Sequence, residues 1–334
     1  MREYTLVMQR ETCLITGGAG YIGSHIVDNL LKSGKNVVVY DSLVNGLKSR
    51  IDFLSKKHRV DIPLVVGDIR EIFSLKKVLE IYSPNSIVHT AALKSVSSSI
   101  TNPAEYFEVN FYATQGLLEL ASERNIKKFL FSSTAAVYGD PATSEPIGED
   151  SVKVPISPYG SSKLEAEKKV NDFLNVPGNL GTSLRFFNVV GAGAPELVDN
   201  SKDNLIPILI DCFSKSKEFV IHGRDYKTSD GTCIRDYVDV RDIARAHLKV
   251  LEFNQSLPFS INIGTGQGHS VLKILETVSN FYSEEKIKVV DGPRRLGDSA
   301  ILQADISRVR RIFDFYPEYS LDDSISSLFV NRIT

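Results

Sequence analysis

Residues 16–25 read Thr-Gly-Gly-Ala-Gly-Tyr-Ile-Gly-Ser-His, with the spacing G-x-x-G-x-x-G from Gly17 to Gly23. The apolar run Cys13-Leu14-Ile15 before this segment predicts a buried parallel strand, and the residues from Ile26 onward predict the start of an amphipathic helix. In such a strand-to-helix turn, the first glycine permits the tight turn, the second lets the backbone approach a pyrophosphate, and the third lets the helix pack against the strand. The helix N-terminus then offers free N–H groups to the phosphates.

An acidic residue stands where a dinucleotide-binding unit needs one. The second predicted strand, Asn36–Tyr40, is followed directly by Asp41, about as far beyond the glycines as the carboxylate that binds a ribose 2′-OH. A carboxylate at this position favours NAD over NADP because it repels a 2′-phosphate. A purely structural glycine turn would explain the glycines but not the acid. The sequence therefore predicts an NAD site.

The composition excludes several classes of protein. The chain has 334 residues, of which 42% are hydrophobic and 24% charged, and its net charge of −2 gives no basic surface for nucleic acid or an anionic membrane. Its apolar runs are too short to span a bilayer, and the N-terminal residues resemble no signal peptide. The three cysteines have no metal-ligand spacing. These features predict a cytoplasmic protein with reduced thiols and no bound metal.

Strand-like and helix-like segments alternate as far as residue 186, which predicts an α/β fold with a doubly wound parallel sheet of the Rossmann type. Within it we expect a loop over 90–102 and one long helix over 103–124. Beyond Asn188 the alternation breaks, and a polar loop over 223–235 is expected. We predict an NAD-binding domain over 1–188, with a returning segment at about 236–265, and a smaller α/β substrate domain over 189–334.

A tyrosine and a lysine lie one turn apart on a predicted helix. Tyr159 and Lys163 are at positions i and i+4 and therefore share a helix face. A free tyrosine has a pKa of about 10, but a nearby ammonium stabilises the phenolate and makes it a possible general base. The predicted strand Lys128–Ser132 leads into Ser133 and Thr134. At this strand end, a hydroxyl can reach the same reacting oxygen. The Tyr-x-x-x-Lys spacing is common on surface helices, so it gains meaning only beside the glycine turn.

The chain resembles the extended short-chain dehydrogenase/reductases and, among them, the UDP-glucose (UDP-galactose) 4-epimerases, over essentially its whole length. The stretches that carry the resemblance are 16–25, 40–43 with Asn45, 67–70, 89–96, 137–140, 157–164, 184–188, 204–207, 223–226 and 230–238. The last of these, Asp-Gly-Thr-Cys-Ile-Arg-Asp-Tyr-Val, is long and highly diagnostic. The resemblance implies NAD-dependent epimerisation at C4 of a UDP-hexose, in a homodimer formed through helices 103–124 and 159–174.

The resemblance also implies roles for individual residues. The implied catalytic residues are Thr134, Tyr159 and Lys163. The implied NAD-binding residues are Gly17, Gly20, Tyr21, Ile22, Gly23, Asp41, Asn45, Asp68, Ile69, Ala91, Ala92, Lys94, Asn110, Ser132, Tyr159, Lys163 and Phe186. The implied substrate-binding residues are Lys94, Thr134, Tyr159, Asn188, Asn204, Leu205, Val220, His222, Arg235, Arg295, Asp298 and Leu302. Arginines suit this role because they neutralise a diphosphate through bidentate contacts.

The sequence departs from the family pattern at several of these positions. The triplet Ser132-Ser133-Thr134 at the end of the predicted strand has threonine at its third position, where serine is usual. Threonine retains the hydroxyl group. His222 replaces an aromatic residue expected near uracil, Asp239 a histidine and Phe186 a tyrosine, and the loop 194–203 is shorter than usual. The resemblance implies that Leu302 stands at the position that gates the C2 substituent of the sugar. These departures concern sugar and uridine specificity rather than the reaction.

Three alternatives remain at this stage. A UDP-N-acetylhexosamine 4-epimerase would share the same catalytic residues. A nucleotide-sugar dehydratase or decarboxylase of the superfamily would carry an acid just after the strand-end threonine, where this chain has Ala135 and Ala136. A non-catalytic NAD-binding regulator would typically lack Tyr159 or Lys163, both of which are present. The sequence leaves open whether the pathway is galactose catabolism or polysaccharide synthesis.

Overall fold

The structure is a computed structural model and describes residues 11–141, 143–201, 203–282, 287–295 and 298–330. Its strands are β1 (Thr12–Thr16), β2 (Asn36–Asp41), β3 (Leu64–Val66), β4 (Ser86–His89), β5 (Lys128–Thr134), β6 (Leu180–Phe186), β7 (Asn188–Val190), β8 (Phe219–His222), β9 (Ile234–Asp239), β10 (Ser260–Ile263), β11 (Gly268–Ser270), β12 (Val289–Gly292) and β13 (Ile301–Leu302). Its α-helices are α1 (Tyr21–Lys32), α2 (Lys48–His58), α3 (Ile72–Tyr82), α4 (Val96–Thr101), α5 (Pro103–Phe107), α6 (Ala113–Glu123), α7 (Pro158–Leu174), α8 (Leu205–Ser214), α9 (Val240–Glu252), α10 (Val271–Ser279), α11 (Ser307–Phe313) and α12 (Leu321–Ser326).

The core of the protein is a seven-stranded parallel sheet in the order β10-β6-β5-β4-β1-β2-β3. In the central strands β1 and β2, alternate residues enter opposite apolar clusters, as the two-residue period of a strand requires. Ile15 and Val39 face the cluster that contains residues of α1, α2 and α9, whereas Leu14 and Val38 face the cluster with α3, α6 and α7. Helices therefore cover both faces of the sheet, and the predicted doubly wound Rossmann-type fold is confirmed.

A second group of elements packs around a separate apolar cluster. β9 pairs with β11, β13 and β7, and β8 pairs in parallel with β12. Residues of α8, α10 and α12 contribute side chains such as Leu209, Ile274 and Ile325 to this cluster. The chain returns from here to the edge of the main sheet through α9 and β10. We propose that the boundary between the two domains lies near Asn188.

The helix predicted over 103–124 is present but contains a π-helical turn, and the loop predicted before it is partly helical. α5 ends at Phe107, a π-helical turn occupies Glu108–Tyr112, and α6 follows, while α4 lies inside the expected loop. The π-helical turn carries Asn110, whose buried side chain bonds to the backbone of Leu93. Such turns occur often at functional sites. Because this bond is a tertiary contact, helix periodicity in the sequence does not reveal it.

Three further findings concern cysteines, membranes and metals. Cys13, Cys212 and Cys233 are buried and have free thiols. Among the described residues, no helix is both long enough and apolar enough to cross a bilayer. The same residues contain no group of three or more His, Cys, Asp or Glu side chains placed to hold a metal ion.

Candidate active site

The glycine turn has the geometry that its spacing predicts. Gly17 has φ 73°, and a Cβ on it would lie 2.6 Å from the backbone nitrogen of Ala91. A Cβ on Gly23 would lie 2.1 Å from the carbonyl oxygen of Gly17, so α1 can approach the turn this closely only with glycine there. Gly20 is the N-cap of α1, and the nearest atom to a Cβ on it is the Gly17 oxygen at 3.1 Å. The helix begins at Tyr21, earlier than predicted. Together the three glycines form a cradle of backbone that fits a dinucleotide pyrophosphate.

Asp41 lies at the carboxyl end of β2, beside this turn. It is 6% exposed; its Oδ2 accepts a hydrogen bond from the Ala19 N–H at 2.9 Å, and its Oδ1 accepts one from the Leu43 N–H at 2.8 Å. Burial raises the pKa of Asp41, and the N–H groups of Leu43 and Ala19 oppose that rise. Asn45 is exposed in the following loop. The carboxylate is thus fixed where a ribose hydroxyl is predicted to bind.

The predicted adenine-side residues follow β3. The Asp68 carboxylate accepts hydrogen bonds from the Arg70 backbone and guanidinium, which hold its pKa below the usual range. Ile69 is buried in the same apolar cluster as Tyr40, whose hydroxyl donates to the Asp68 carbonyl oxygen at 2.9 Å. Asp68 and Ile69 are therefore anchored close to the end of β2, which carries Asp41.

The loop after β4 joins the cofactor side to the helix bearing Tyr159. Asn110 Oδ1 accepts from the Leu93 N–H at 2.8 Å, and its Nδ2 donates to the Leu93 carbonyl at 3.0 Å and to Ser162 Oγ at 3.1 Å. Ser162 Oγ donates to the Tyr159 carbonyl oxygen. Asn110 is 1% exposed, so its amide serves to fix this loop and α7 to each other. Ala91 lies against Gly17, as described above, and Ala92 follows it.

The predicted catalytic side chains come together where α7 begins. Ser157 caps the helix by accepting from the Gly160 N–H, and a Cβ on Gly160 would lie 2.5 Å from the Ala136 carbonyl oxygen. The helix start is therefore packed tightly against the turn that follows Thr134. Burial raises the pKa of Tyr159, and the interaction with the Thr134 hydroxyl opposes that rise.

Lys163 lies one turn further along α7 and is 2% exposed. Its Nζ is 4.1 Å from the centroid of the Phe131 ring. Burial lowers the pKa of Lys163 to about 7, and the Glu167 carboxylate opposes that change. A cation held here faces the side of α7 that carries Tyr159, so it can stabilise a tyrosine phenolate.

Two further NAD-side predictions lie at the ends of β5 and β6. Ser132 Oγ is 3.4 Å from His247 Nε2, and the His247 ring packs 5.5 Å from the Phe186 ring. Phe186 is also the register partner of Thr134, so the strand end with the hydroxyl adjoins it. Both residues are buried and lie at the carboxyl edge of the sheet, where ligands bind in this fold class.

Five of the predicted substrate residues form two groups in the structure. One is linked through Asp199, whose Oδ1 lies 3.7 Å from Lys94 Nζ and whose Oδ2 accepts from Asn204 Nδ2 at 2.6 Å. Leu205 follows Asn204 as the first residue of α8. In the other group, Arg235 Nη2 is 3.4 Å from Asp298 Oδ1.

The remaining substrate candidates are more scattered. Asn188 begins β7 and Arg295 is exposed. Val220 and His222 lie on β8, where His222 Nδ1 is 3.2 Å from the Pro293 carbonyl oxygen. Leu302 is 9% exposed, pairs in register with Arg235 and belongs to the same apolar cluster as Phe186. Its role as a gate stays a prediction.

Asp239, noted as a departure from the family pattern, has a structural explanation. It is fully buried, caps α9, and accepts hydrogen bonds from the Arg241 guanidinium and from Ser324 Oγ on α12. Arg241 in turn lies over the Tyr319 ring. The carboxylate therefore fastens the C-terminal helix to the fold, which is a sufficient reason for an acid at this position.

Sequence reasoning missed Arg50 and Asp199. Arg50 is buried, and its guanidinium donates to the carbonyl oxygens of Ala19, in the glycine turn, and Val198, in the loop before α8. Arg50 thus links the glycine turn to the loop before α8, where Asp199 in turn contacts the predicted substrate residues Lys94 and Asn204. Neither residue has a sequence signal, because each acts through a contact with a distant segment.

Comparison with known proteins agrees with this geometry. The sequence profile of the NAD dependent epimerase/dehydratase family matches residues 13–264. The chain belongs to that family. It is 38% identical over 322 residues to the UDP-glucose 4-epimerase of Lacticaseibacillus casei, covering 94% of each chain.

Solved structures give the same assignment. The UDP-glucose 4-epimerase of Stenotrophomonas maltophila, with bound NAD and formylated UDP-arabinopyranose, superposes with a TM-score of 0.90 at 32% identity and 96% and 97% coverage. The UDP-Glc/GlcNAc 4-epimerase of Campylobacter jejuni superposes with a TM-score of 0.82 at 35% identity and 96% and 98% coverage. The predicted resemblance is confirmed.

Proposed function

We propose that this protein is an isomerase that interconverts the C4 epimers of a UDP-hexose, UDP-glucose and UDP-galactose, with NAD as its resident cofactor. The observation that carries the proposal is the packing of Gly160 on Ala136, which brings Tyr159 of α7 to Thr134 at the end of β5. This hydroxyl pair lies at the carboxyl edge of the same sheet whose first strand leads into the glycine cradle. The chain is also similar over most of its length to proteins named UDP-glucose 4-epimerases.

The residues that would hold NAD are the glycine cradle, Asp41 for the ribose hydroxyls and Lys163 for the nicotinamide ribose. NAD supplies hydride acceptance from C4 of the sugar and hydride return, so it is regenerated in each cycle. Tyr159 acts as the base that removes the C4-hydroxyl proton, and Thr134 orients that hydroxyl. Lys163 stabilises the tyrosine phenolate by its charge.

On the substrate side, Arg235 and Arg295 neutralise the UDP diphosphate, and Asn188, Asn204 and Leu205 position the nucleotide sugar. Arg235 is half of an ion pair with Asp298 in the described structure, so its guanidinium is already held at one edge. We propose that Lys94 turns from Asp199 to the ligand when the site fills.

The assembly and location belong to the proposal as well. We propose a homodimer formed through the α5–α6 segment and α7, and a cytoplasmic location. Tyr112 is 61% exposed and its ring lies at a tilt 4.8 Å from the Phe111 ring, and Ile100 of α4 is 40% exposed, so both of these segments present apolar surface. Sedimentation velocity tests the dimer, and a purely monomeric species at micromolar concentration would exclude it.

The direct test of the function is product analysis. Protein incubated with UDP-glucose is expected to yield UDP-galactose without added cofactor, and denatured protein is expected to release NAD. Proton NMR of the anomeric signals and enzymatic assay of the released dinucleotide measure the two results. Release of NADP, or a stoichiometric requirement for added NAD, would contradict the cofactor assignment. Absence of any C4 epimer would contradict the function.

Two alternatives have different standing. A dehydratase would need an acid after Thr134, but Ala135 is buried at 3% exposure and Ala136 follows it in a tight turn. An N-acetylhexosamine epimerase is favoured by one observation, the similarity to the Campylobacter enzyme that is named for both sugars. Leu302 pairs in register with Arg235, a predicted substrate residue, so substitution of Leu302 tests this second candidate.

Replacing Leu302 by serine is expected to raise kcat/KM for UDP-N-acetylglucosamine relative to UDP-glucose severalfold. Leucine is intermediate in size, and a pocket discriminates by about 1–3 kcal/mol per methylene-sized group, so the wild type should prefer the plain sugars without fully excluding the acetylated ones. Initial rates on both pairs give the ratio. Leu302→Met preserves the volume and is the matched control. An unchanged ratio in folded Leu302→Ser would assign this side chain to core packing.

A further inference from the structure

A buried carboxylate lies beside the proposed catalytic residues without a role in the mechanism. Glu167 is one turn after Lys163 on α7 and is 7% exposed. Its Oε1 accepts hydrogen bonds from Ser133 Oγ at 2.5 Å and from Arg185 Nε at 2.9 Å, and its Oε2 accepts from Arg185 Nη2 at 2.6 Å. Two strands, β5 and β6, therefore hold this carboxylate in one orientation under α7.

Its partner is fixed equally firmly. Arg185 is 3% exposed, and its remaining nitrogen Nη1 donates to Tyr138 Oη at 2.9 Å and to the Glu149 carbonyl oxygen at 3.1 Å. Ser133 immediately precedes Thr134, so the ion pair also contacts the strand end that carries the catalytic hydroxyl. A buried ion pair is often no more stabilising than an apolar pair of similar size, so stability alone does not explain it.

The groups around Lys163 show where its electrostatic environment comes from. From β4, His89 faces it, but burial lowers the pKa of His89 to about 3, so this ring is neutral; it bonds to Thr16 and Thr114. From β5, Phe131 contributes an aromatic face. α7 itself contributes the Tyr159 hydroxyl, which carries no charge while it is protonated, and the Glu167 carboxylate.

Among the described residues facing Lys163, Glu167 thus supplies the negative charge, and Arg185 supplies a positive charge immediately behind it. The i, i+4 spacing places Glu167 and Lys163 on the same face of α7. Removing the charge of either member of the ion pair therefore changes the electrostatic potential at the Lys163 ammonium.

We propose that Glu167 and Arg185 are positioning residues that together set the charge on Lys163, and through it the ability of Tyr159 to act as a base; this inference rests on the proposed function. Glu167 keeps Lys163 a cation in an apolar setting, and Arg185 limits that effect. Removing the anion and removing the cation should consequently shift the activity in opposite directions along the pH axis. A merely structural ion pair would have no such signature.

The test is the pH dependence of kcat for Glu167→Gln and Arg185→Gln holoenzyme. The alkaline limb of this pH profile is the range in which kcat falls as the pH rises. This fall reports deprotonation of the Lys163 ammonium. Without the Glu167 anion the lysine releases its proton more easily, so the limb should move to lower pH by about one pH unit or more. With Glu167 unpaired in Arg185→Gln, the limb should move to higher pH. Loss of activity in both variants with an unmoved limb would overturn the proposal.

Controls separate this effect from general damage. Asp242 is another buried carboxylate paired with an arginine, Arg245, and Asp242→Asn should lower the melting temperature without moving the limb. If the single variants do not fold, Glu167→Gln/Arg185→Gln removes both charges and leaves neither unpaired. Its limb should move as in Glu167→Gln but by less, and an unmoved limb in this double variant would also overturn the proposal.

A second readout is independent of turnover. Phenolate absorbance titrated in each variant, minus that of the same variant carrying Tyr159→Phe, reports the ionisation of Tyr159. We expect its midpoint to rise in Glu167→Gln, because a weaker neighbouring cation stabilises the phenolate less. If the wild type failed to epimerise UDP-glucose, the proposed function would fail, while this titration would still decide the inference. An identical midpoint in Glu167→Gln, Arg185→Gln and wild type would contradict it.

Discussion

Replacing Tyr159 by phenylalanine is expected to lower kcat by about 10²–10⁴-fold, the usual contribution of a positioned general base. The variant loses the hydroxyl that lies against Thr134 but keeps the ring, which contacts the Tyr106 ring edge-on at 6.4 Å. Because packing is retained, NAD content and melting temperature should stay close to the wild type. Initial rates on UDP-glucose and the dinucleotide content of denatured protein measure the two expectations together.

The matched control for this substitution is Tyr316→Phe. Tyr316 is 53% exposed, and its ring lies near Arg310 rather than at the site. It should retain wild-type activity and NAD. If Tyr159→Phe turned over within a few-fold of the wild type, another group would have to be the base, and the proposed mechanism would be wrong. If the variant instead lost its NAD, the activity loss could not be assigned to proton transfer.

The central sheet could be predicted because buried parallel strands are apolar runs with polar ends. Asn36–Tyr40 is such a run: the predicted strand agrees with β2 to within one residue, and only its first residue, Asn36, is exposed. β9 was largely missed: the loop expected over 223–235 gives way to a strand at Ile234. Its residues Arg235 and Asp236 are polar, and Asp236 is buried because backbone N–H groups from distant loops satisfy it.

The candidate site was predictable only in part for a related reason. Residues that act at fixed spacings along one segment, such as Gly17 with Gly23 and Tyr159 with Lys163, leave a pattern in the sequence. Glu167 leaves none, because an acid four residues after a lysine on a helix usually marks a solvated face. Only the sheet, which brings Ser133 and Arg185 under α7, makes it a buried ion pair.

Substituting Gly23 by alanine is expected to deplete NAD from the purified protein. The new Cβ would lie 2.1 Å from the Gly17 carbonyl oxygen and 2.8 Å from Gly18 Cα, both backbone atoms that cannot rotate away. α1 must therefore move away from the turn, which distorts the cradle at its N-terminus. Overpacking of this kind costs about 1–3 kcal/mol, which corresponds to a loss of affinity of about 5- to 150-fold if it falls on NAD binding.

The measurement compares NAD content and dissociation constant in Gly23→Ala and in Gly148→Ala. A Cβ on Gly148 would lie 3.7 Å from Asp305 Oδ2, which is an ordinary contact, so this control should keep its cofactor. Far-UV circular dichroism distinguishes cofactor loss from unfolding, and added NAD should restore activity to folded Gly23→Ala. Stoichiometric NAD in this variant would mean that α1 does not have to approach the turn so closely, and the cradle would need a different explanation.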